Sequence, residues 1–435
     1  MVDEQSLLEA GVFAYGDDPK VCCENRLLVA FVMVVFMVSV AALSKCGRVM
    51  AVSVIQVSPG QSIQEAINHA ADGDTIVVQN GTHLEGQYPV IVNKSITLTG
   101  QNVAASVING RNSSTGILLV RADYVRVLNL TIQNTTENFA ASGISLASVK
   151  GVEMADCIVT NCGSGLALTN SSENRITRNS ITRNKSFGVY LHANSSFNNF
   201  WDNNLTANPT GINIADTSCQ HNAIYHNNFV LDTNPQIGSG VSTTWDDGYP
   251  SGGNYWDDHV NEDLMHGVGQ NLTGGDGIAD ASYLGLDKYP LAEPVYTFYM
   301  YGRNQSDYYA LISSNSTVCN FDFDPSVGSF LTFEAAGSDG TTGCCRVTVP
   351  RSILWVEDEE HWAITINGTA PATGPLILED GNSTFFFFSY NHSAMVVEIA
   401  GTHVVPEYAL PVLLLSLVFF ACGFTLLDRT RARAC

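Results

Sequence analysis

The sequence has few charged residues, and basic residues are the scarcest of them. Only 14% of the 435 residues are charged, and 20 lysines and arginines stand against 42 aspartates and glutamates, a formal net charge of −22. Such a chain repels a phosphate backbone, so we expect no nucleic acid as a partner. The apolar share of 45% is sufficient for a sizeable core.

The cysteines lack the spacing of a metal-binding motif. None of the eleven forms a Cys-x-x-Cys pair, so we do not expect a structural zinc site. Six lie within residues 52–405: Cys157, Cys162, Cys219, Cys319, Cys344 and Cys345. One of the adjacent Cys344 and Cys345 could pair with Cys319, and free buried thiols are the alternative.

Long helical periodicity is absent from residues 143–232, where a repeated unit is found instead. The unit begins at Gly143, Gly165, Gly188 and Gly211, with steps of 22, 23 and 23 residues. Each copy contains short runs of alternating apolar residues that are broken by Asn, Ser and Gly, a pattern typical of strands and turns. Three short strands in about 23 residues predict one coil of a parallel β-helix.

Asparagines recur in step with these units. Three columns have a constant spacing of 24 residues: Asn174, Asn198 and Asn222; Asn179, Asn203 and Asn227; Asn184, Asn208 and Asp232. Equivalent positions on successive coils lie about 4.8 Å apart. Because Asn tolerates left-handed turns and bonds to backbone groups, we expect these columns at the turns of the solenoid.

Two apolar runs flank the repeats. Leu27–Leu43 predicts a signal sequence or signal anchor within residues 1–51. Ala409–Leu427, followed by three arginines, predicts a transmembrane helix in residues 405–428 with a cytoplasmic basic tail at 429–435. Residues 52–405 are then extracellular, and fifteen Asn-x-Ser/Thr sites are consistent with an exported glycoprotein.

Two further stretches resemble known families. The capping box of Ser62 and Glu65, then Gly73-Asp-Thr-Ile and Ser95-Ile-Thr-Leu-Thr-Gly100, resemble the amino-terminal cap of pectate-lyase-like right-handed β-helix proteins. Gly252-Gly-Asn-Tyr-Trp256, Gly275-Asp-Gly-Ile-Ala-Asp280 and Asp287-Lys-Tyr-Pro-Leu291 resemble the segment that ends the β-helix in archaeal surface proteins of the NosD-like, or CASH, repeat class.

The resemblance and the patterns together predict an all-β protein. A right-handed parallel β-helix is expected over residues 52–235, followed by an acidic closing segment, residues 236–294. Seven strand-like runs in residues 295–404 predict a small antiparallel β-sandwich. The resemblance also implies that this β-domain precedes a membrane anchor.

Trp201 and Tyr225 are candidate ligand-binding residues. The columns place them on adjacent coils, and each follows an inward apolar residue, Phe200 or Ile224, so both are expected to point outward. Exposed aromatic rings can stack on sugars, which predicts contact with cell-envelope or extracellular glycans. A stabilising aromatic ladder is the alternative.

The closing segment is a candidate calcium site. It contains nine acids between Asp246 and Asp287, and carboxylates so close together repel one another unless something neutralises them. Calcium accepts the irregular oxygen geometry that loops offer. Asp276 and Asp280, around Gly277, are the candidate ligands, and a solvated turn-forming loop is the alternative.

Catalytic signals are weak, and we assign no catalytic residues. The columns set Arg178, Asp202 and His226 one above another, either as a catalytic trio or as a surface charge pair with a polar neighbour. The NosD resemblance implies copper, but no His, Met and Cys cluster has ligand spacing. We therefore expect a membrane-anchored extracellular β-helix protein with a carbohydrate-binding or structural role. A polysaccharide hydrolase or lyase is the alternative.

Overall fold

A computed structural model describes residues 52–405, except 233–235, 238–240, 304–305, 359–360 and 373. The predicted leader at 1–51 lies outside the described residues, as do the predicted membrane span and basic tail apart from residue 405. Within the part that is described, no helix has the length and apolar character needed to cross a bilayer.

The first part of the chain is a parallel solenoid of about eight turns. Each turn contributes one strand to each of three sheets. Sheet A contains Val54–Val57, Thr75–Val78, Thr97–Gly100, Arg126–Leu128, Glu153–Ala155, Arg175–Thr177, Asn199–Trp201, Asn222–Tyr225 and Thr243–Thr244. Sheet B contains Gly81–His83, Ser106–Ser113, Thr131–Thr135, Ile158–Thr160, Ser180–Thr182, Asn204–Thr206, Asn228–Val230 and Tyr255–Trp256. Sheet C contains Val90–Val92, Leu118–Val120, Ser142–Ala147, Ser164–Thr169, Phe187–His192, Thr210–Ile214 and Gln236–Ile237.

The register confirms the repeat. Ile144, Leu166, Val189 and Ile212 pair in one row, and Met154, Ile176, Phe200 and Ile224 in another. All eight side chains are buried in one continuous core. Identical positions on successive coils therefore stack along the interior, as the column spacing predicts.

The unit-starting glycines are required by close packing inside the coil. A Cβ atom at Gly165 would lie 2.5 Å from Ile181 Cγ2 and 2.6 Å from the carbonyl oxygen of Gly188. The equivalent position on the next coil, Gly188, has the same carbonyl contact at 2.6 Å, to Gly211. The backbone thus bends into the interior at this point, and no larger residue fits without displacing it.

The asparagine columns form three asparagine ladders in the interior. In each, the backbone N–H and side-chain amide of one rung donate to the side-chain oxygen of the next, as Asn179 does to Asn203 at 3.0 Å in both bonds. Every asparagine rung except Asn174 also donates from its own amide to a carbonyl of the coil before it, as Asn203 does to Ile176 at 2.7 Å. The ladders satisfy backbone groups that the turns would otherwise bury unpaired.

Two of the three ladders end on an aspartate. One continues from Asn227 to Asn254 and then to Asp287, which accepts the Asn254 backbone N–H at 2.7 Å. Asp287 also accepts the indole N–H of Trp256 at 3.0 Å. Another ladder ends at Asp232, which accepts both donors of Asn208 through its Oδ1 atom. The side chain of an ionised aspartate accepts hydrogen bonds but does not donate them, so it needs no acceptor on a further coil.

Asp232 predicts a pH-dependent stability. Its second oxygen, Oδ2, is buried without a partner, and burial raises the pKa of Asp232 to about 7. Because the folded pKa exceeds the unfolded one, the native state is favoured most below about pH 4, and this contribution is lost as the pH rises through 7. We expect Asp232→Asn to stabilise the protein by about 1–3 kcal/mol at pH 8, since an amide there can donate to a carbonyl as other rungs do. The gain should shrink toward pH 4 in chemical unfolding curves.

Asp216 provides a control of opposite sign. Hydrogen bonds from Ser218 and from the backbone N–H of Ala193 hold the pKa of Asp216 below its usual value. Asp216→Asn should therefore destabilise the protein at neutral pH, and the loss should disappear as the pH falls through the depressed pKa. A stabilisation by Asp232→Asn that is equal at every pH would contradict the ionisation argument.

Both ends of the solenoid are covered. The helix Ile63–His69 closes the amino-terminal end with Ile63 and Ile67 buried, and Ser62 caps it by accepting the backbone N–H of Glu65, as predicted. At the other end, Trp256 stacks between Phe229 and Tyr283 with ring centroids 4.1 Å from each. These aromatic rings close the core where the coils stop.

Two antiparallel sheets follow the closing segment, in which Met265–His266 pairs with Leu272–Thr273. One sheet has the order Val295–Arg303, Ser306–Ser314, Thr342–Pro350, Ser383–Asn391 and Leu376–Glu379. The other has the order Thr317–Asp322, Phe330–Ala336, Ala394–Ala400 and Ala363–Ile366, and Leu354–Trp355 pairs separately with His403–Val404. Both larger sheets contribute to one core. The strands Ser306–Ser314 and Leu376–Glu379 were not among the seven predicted runs.

The six cysteines of the described chain are free thiols. Cys319 is exposed, whereas Cys345 is fully buried. Burial raises the pKa of Cys157 to about 12 and that of Cys345 to about 11. These two thiols are therefore protonated at neutral pH and act as small core residues.

Candidate functional site

Trp201 and Tyr225 lie next to each other on sheet A, as the column spacing predicts. Their rings are nearly parallel, with centroids 6.3 Å apart and planes 9° apart. The guanidinium of Arg175 lies over the Trp201 ring at 5.1 Å from its centroid. Since Arg175 and Tyr225 belong to the coils on either side of Trp201, this geometry is that of a surface ladder. Binding of a sugar at this pair stays a prediction.

A second aromatic group lies on sheet C and was not predicted. We call Phe139, Phe187, Tyr190 and His192 the aromatic face. Phe187, Tyr190 and His192 stack in a row along one strand, with centroid distances of 5.2 and 4.9 Å. Phe139 approaches the first two edge-on, at 6.3 and 5.8 Å, and 49% of its surface is exposed.

The inward bend at Gly188 explains why these three residues share one face. Val189 and Leu191 are buried, whereas Phe187, Tyr190 and His192 are partly exposed. The glycine breaks the simple alternation, so residues three and two apart point the same way. The sequence signal was present in the Gly188 column, but alternation alone assigns Phe187 to the interior.

The aromatic face contains no Asp, Glu, Lys or Arg side chain and has hydrogen-bonding groups beside it. The outward neighbours in the row of Tyr190 on sheet C are Ser145 and Ala167 on the two coils before it and Asn213 on the coil after it. The His192 ring nitrogen Nε2 lies 2.7 Å from the Thr169 hydroxyl. Aromatic rings with hydroxyl and amide groups beside them form a surface suited to a neutral, amphipathic ligand.

The column of Arg178, Asp202 and His226 occupies successive corners between sheets A and B. Arg178 makes two hydrogen bonds to Asp156, at 2.9 and 2.8 Å, and Tyr309 of the sandwich lies over its guanidinium at 4.2 Å. Asp202 Oδ1 is buried without a partner, and burial raises the pKa of Asp202 to about 7.

His226 is buried beneath the chain at Ser251, with Nε2 3.2 Å from the Ser251 carbonyl oxygen. Burial lowers the pKa of His226, so the ring is neutral at physiological pH. The column therefore belongs to the packing of the solenoid against the sandwich, not to an open groove. A substrate polysaccharide would not reach these three side chains in this arrangement.

The acids of the closing segment bind backbone N–H groups. Asp263 accepts the N–H groups of Asp276 and Gly277 at 2.9 and 2.8 Å, and Asp280 accepts that of Met265 at 3.0 Å. Asp276 is fully buried and accepts the N–H of Ile278 at 3.0 Å. Burial raises the pKa of Asp276, and the nearby Arg346 acts to lower it. Fixed donors thus supply part of the neutralisation that the sequence alone assigned to an ion.

Calcium at Asp276 and Asp280 stays a prediction. Among the residues that the structure describes, no group of three or more His, Cys, Asp or Glu side chains is placed to hold a metal. If calcium binds, the thermal midpoint should rise in millimolar calcium relative to chelator through mass action, and Asp276→Asn should remove most of the rise. An unchanged midpoint would mean that backbone donors and Arg346 suffice.

Residues 64–260 match the family model described as periplasmic copper-binding protein (NosD). This match covers 197 of the 435 residues. Together with the parallel register, it supports a right-handed parallel β-helix that is similar to the NosD-like, pectate-lyase-like class. The matched region begins in the cap helix and ends at the last coil, and it includes all three asparagine ladders except Asp287.

The residues of this NosD-like solenoid do not fit a copper site. Three of its histidines have other roles: His83 contacts the Gln79 carbonyl oxygen, His192 contacts Thr169, and His221 stacks on Phe197. Met154 and Cys157 are buried in the core. These side chains face different directions from different coils and do not converge as copper ligands would.

Solved structures with some similarity include Escherichia coli YbhC, with 13% identity, a TM-score of 0.32, and coverage of 46% of this chain and 69% of that one. The Dettilon tailspike protein (gp208) has 13% identity, a TM-score of 0.32, and coverage of 80% and 85%. Geobacillus virus E2 ORF18 has 12% identity, a TM-score of 0.31, and coverage of 82% and 79%. A comparison with curated protein sequences gave no match. At these scores, we draw no functional conclusion from the structures.

Proposed function

We propose that this NosD-like β-helix protein is an extracellular surface protein that binds neutral glycans through the aromatic face. The observation that carries the proposal is the row of Phe187, Tyr190 and His192, with Phe139 beside it, on the outside of the solenoid. These large rings lie outside the interior core, and a ligand that covered their exposed apolar area would gain free energy.

The chemistry around the rings favours carbohydrate over a charged ligand. A sugar presents apolar C–H patches to aromatic surfaces and hydroxyls to amides and hydroxyls. Ser145, Thr169 and Asn213 supply the polar groups on the same sheet. Trp201 and Tyr225 form an additional contact surface in this proposal, around the corner on sheet A.

Binding is favoured over hydrolysis because two of the outer carboxylates have structural partners. Glu153 pairs with Arg126 at 2.6 Å, and Asp156 pairs with Arg178. Hydrolysis of a polysaccharide requires two carboxyl groups that face one bond. Each of these acids instead neutralises an arginine on a neighbouring coil.

The membrane anchor belongs to the same proposal. Ala409–Leu427 with its arginine tail would hold the protein at the cell surface, and Leu27–Leu43 would direct its export. The NosD match fits this placement, since its description names a periplasmic protein. The ectodomain would then present the aromatic face to the cell envelope or its surroundings.

The test is retention of the full-length protein on immobilised neutral polysaccharides. We expect Tyr190→Ala to weaken retention about tenfold, which corresponds to about 1.4 kcal/mol of lost contact. Phe139→Ala should weaken it as well, because its half-exposed ring borders the same surface. Trp201→Ala tests the sheet A pair separately.

Tyr124→Ala is the matched control. Tyr124 is 63% exposed on the same solenoid but lies apart from the aromatic face, so its loss should leave retention unchanged. Equal retention of all four variants and the unaltered protein would end the proposal. Loss only in Trp201→Ala would move the site to sheet A.

A further inference from the structure

The chain contains far more Asn-x-Ser/Thr sequons than its composition gives by chance. Ser and Thr make up 69 of the 435 residues, so the 35 asparagines should produce about six sequons, but fifteen are present. The excess requires an explanation beyond the polar character of the chain.

The structure separates the sequons by burial. Nine described asparagines are buried, all within the ladders, and only one of them, Asn184, begins a sequon. Of the other 23 described asparagines, 13 begin sequons, and 12 of those 13 are exposed. The whole excess therefore lies on the surface.

Many of these surface asparagines occupy protruding corners. Six of them adopt a left-handed backbone conformation, with φ between 49° and 74°: Asn112, Asn129, Asn134, Asn170, Asn194 and Asn367. At such corners the chain turns away from the sheets, so a bulky group on the side chain has free space. By contrast, Asn208 has Thr210 two residues later but Pro209 between them, and proline blocks the sequon.

We infer that the exposed sequon asparagines carry N-linked glycans and that Asn184 does not. In the reaction, the amide nitrogen forms a bond to the anomeric carbon of a sugar held on a polyprenyl-phosphate lipid donor. The bond from that carbon to the phosphate oxygen breaks, and the amide proton leaves with the released lipid phosphate. The result is a solenoid with a glycan coat on its corners and an unmodified interior.

Asn184 allows a test, because it begins a sequon but is buried. Its amide donates to Asn208 at 3.0 Å and to the carbonyl oxygen of Val159 at 3.4 Å, inside the coil. A sugar on this nitrogen has no room, so a modified chain would not close the coil. Asn204 begins a sequon on the outside, and its side-chain oxygen accepts the Thr206 hydroxyl at 3.1 Å.

The inference rests on the proposed export of the protein, and a matched pair of variants tests it. The full-length protein is purified from the cells that naturally produce it, and its intact mass and glycopeptides are measured. Thr206→Ala removes the sequon of Asn204, and we expect the loss of one glycan mass. Ser186→Ala removes the sequon of Asn184 without changing a ladder residue, and we expect no glycan loss.

Two outcomes would overturn the inference. One is protein that added protease cleaves on intact cells but in which Asn204 is unmodified. That result would overturn the inference without contradicting the proposed surface location. The other is a sugar on Asn184 in the folded protein. If the surface sequons carry glycans but the protein does not bind polysaccharide, the inference is supported and the proposed function is refuted.

Discussion

Replacing Asn203 with alanine should destabilise the protein by about 4 kcal/mol or more. Asn203 is 2% exposed and belongs to the longest asparagine ladder. Its oxygen accepts the backbone N–H and the amide of Asn179, and its own amide donates to the carbonyl oxygens of Ile176 and Trp201. Alanine leaves these buried groups without partners, and each costs about 1–3 kcal/mol.

The neighbouring residue gives the control for this experiment. Asn204 is exposed, and in the described contacts its side chain bonds only to Thr206, so Asn204→Ala should change stability by less than about 0.5 kcal/mol. Chemical unfolding measures both variants, and hydrogen exchange shows whether the loss is confined to the adjacent coils. Equal losses in the two variants would show that the ladder contributes no more than surface asparagines do.

Replacing Arg346 with methionine should weaken the junction between the solenoid and the sandwich by about 3–5 kcal/mol. Arg346 is 3% exposed in the strand Thr342–Pro350, and its guanidinium donates to the carbonyl oxygens of Asp276 and Pro250 in the closing segment. The carboxylates of Asp276 and Asp263 are the charges that stabilise it. Methionine fills much of the volume but leaves both carboxylates buried without their cation.

Proteolysis of the closing segment measures this effect together with the unfolding midpoint. We expect Arg346→Met to make the segment cleavable under conditions in which the unaltered protein resists, and Asp276→Asn in the same chain to restore part of the stability. Arg351→Met is the control, since Arg351 pairs with Glu379 at the surface of the sandwich and should cost less than about 1 kcal/mol. Full resistance of Arg346→Met would mean that the apolar contacts hold the junction alone.

The regular coils were predictable because their chemistry repeats at a fixed step. The 24-residue columns place Asn179, Asn203 and Asn227 in one ladder, and the same arithmetic places Trp201 beside Tyr225. The ladder continues through Asn254 and Asp287, which follow after 27 and 33 residues. The 24-residue column spacing does not predict these two rungs. The chain between them leaves the coil, so residue spacing there no longer indicates position along the solenoid.

The parts that failed prediction depend on contacts between distant segments. Phe139 lies in an irregular turn, yet it reaches Tyr190 two coils away because only small residues, such as Ala167, lie between them on the sheet. Tyr309 covers Arg178, and Arg346 reaches Asp276 from 70 residues further along the chain. A single sequence contains no signal for such pairings, so it did not reveal the backbone donors and the Arg346 guanidinium beside the acids of the closing segment. Calcium binding there stays a prediction.

The asparagine ladders have a direction, which gives the solenoid a molecular rule for its length. Every asparagine rung accepts hydrogen bonds from the coil before it, and every rung except Asn222 donates to a side-chain oxygen on the coil after it. The side chains of Asp232 and Asp287 also accept hydrogen bonds from the coil before them, but they have no hydrogen to donate when ionised. In evolutionary terms the asparagine is an extension signal and the aspartate a stop signal. Duplication of one coil upstream of Asp232 can lengthen the solenoid, whereas a coil added after that aspartate would lack the side-chain donor that an asparagine rung supplies.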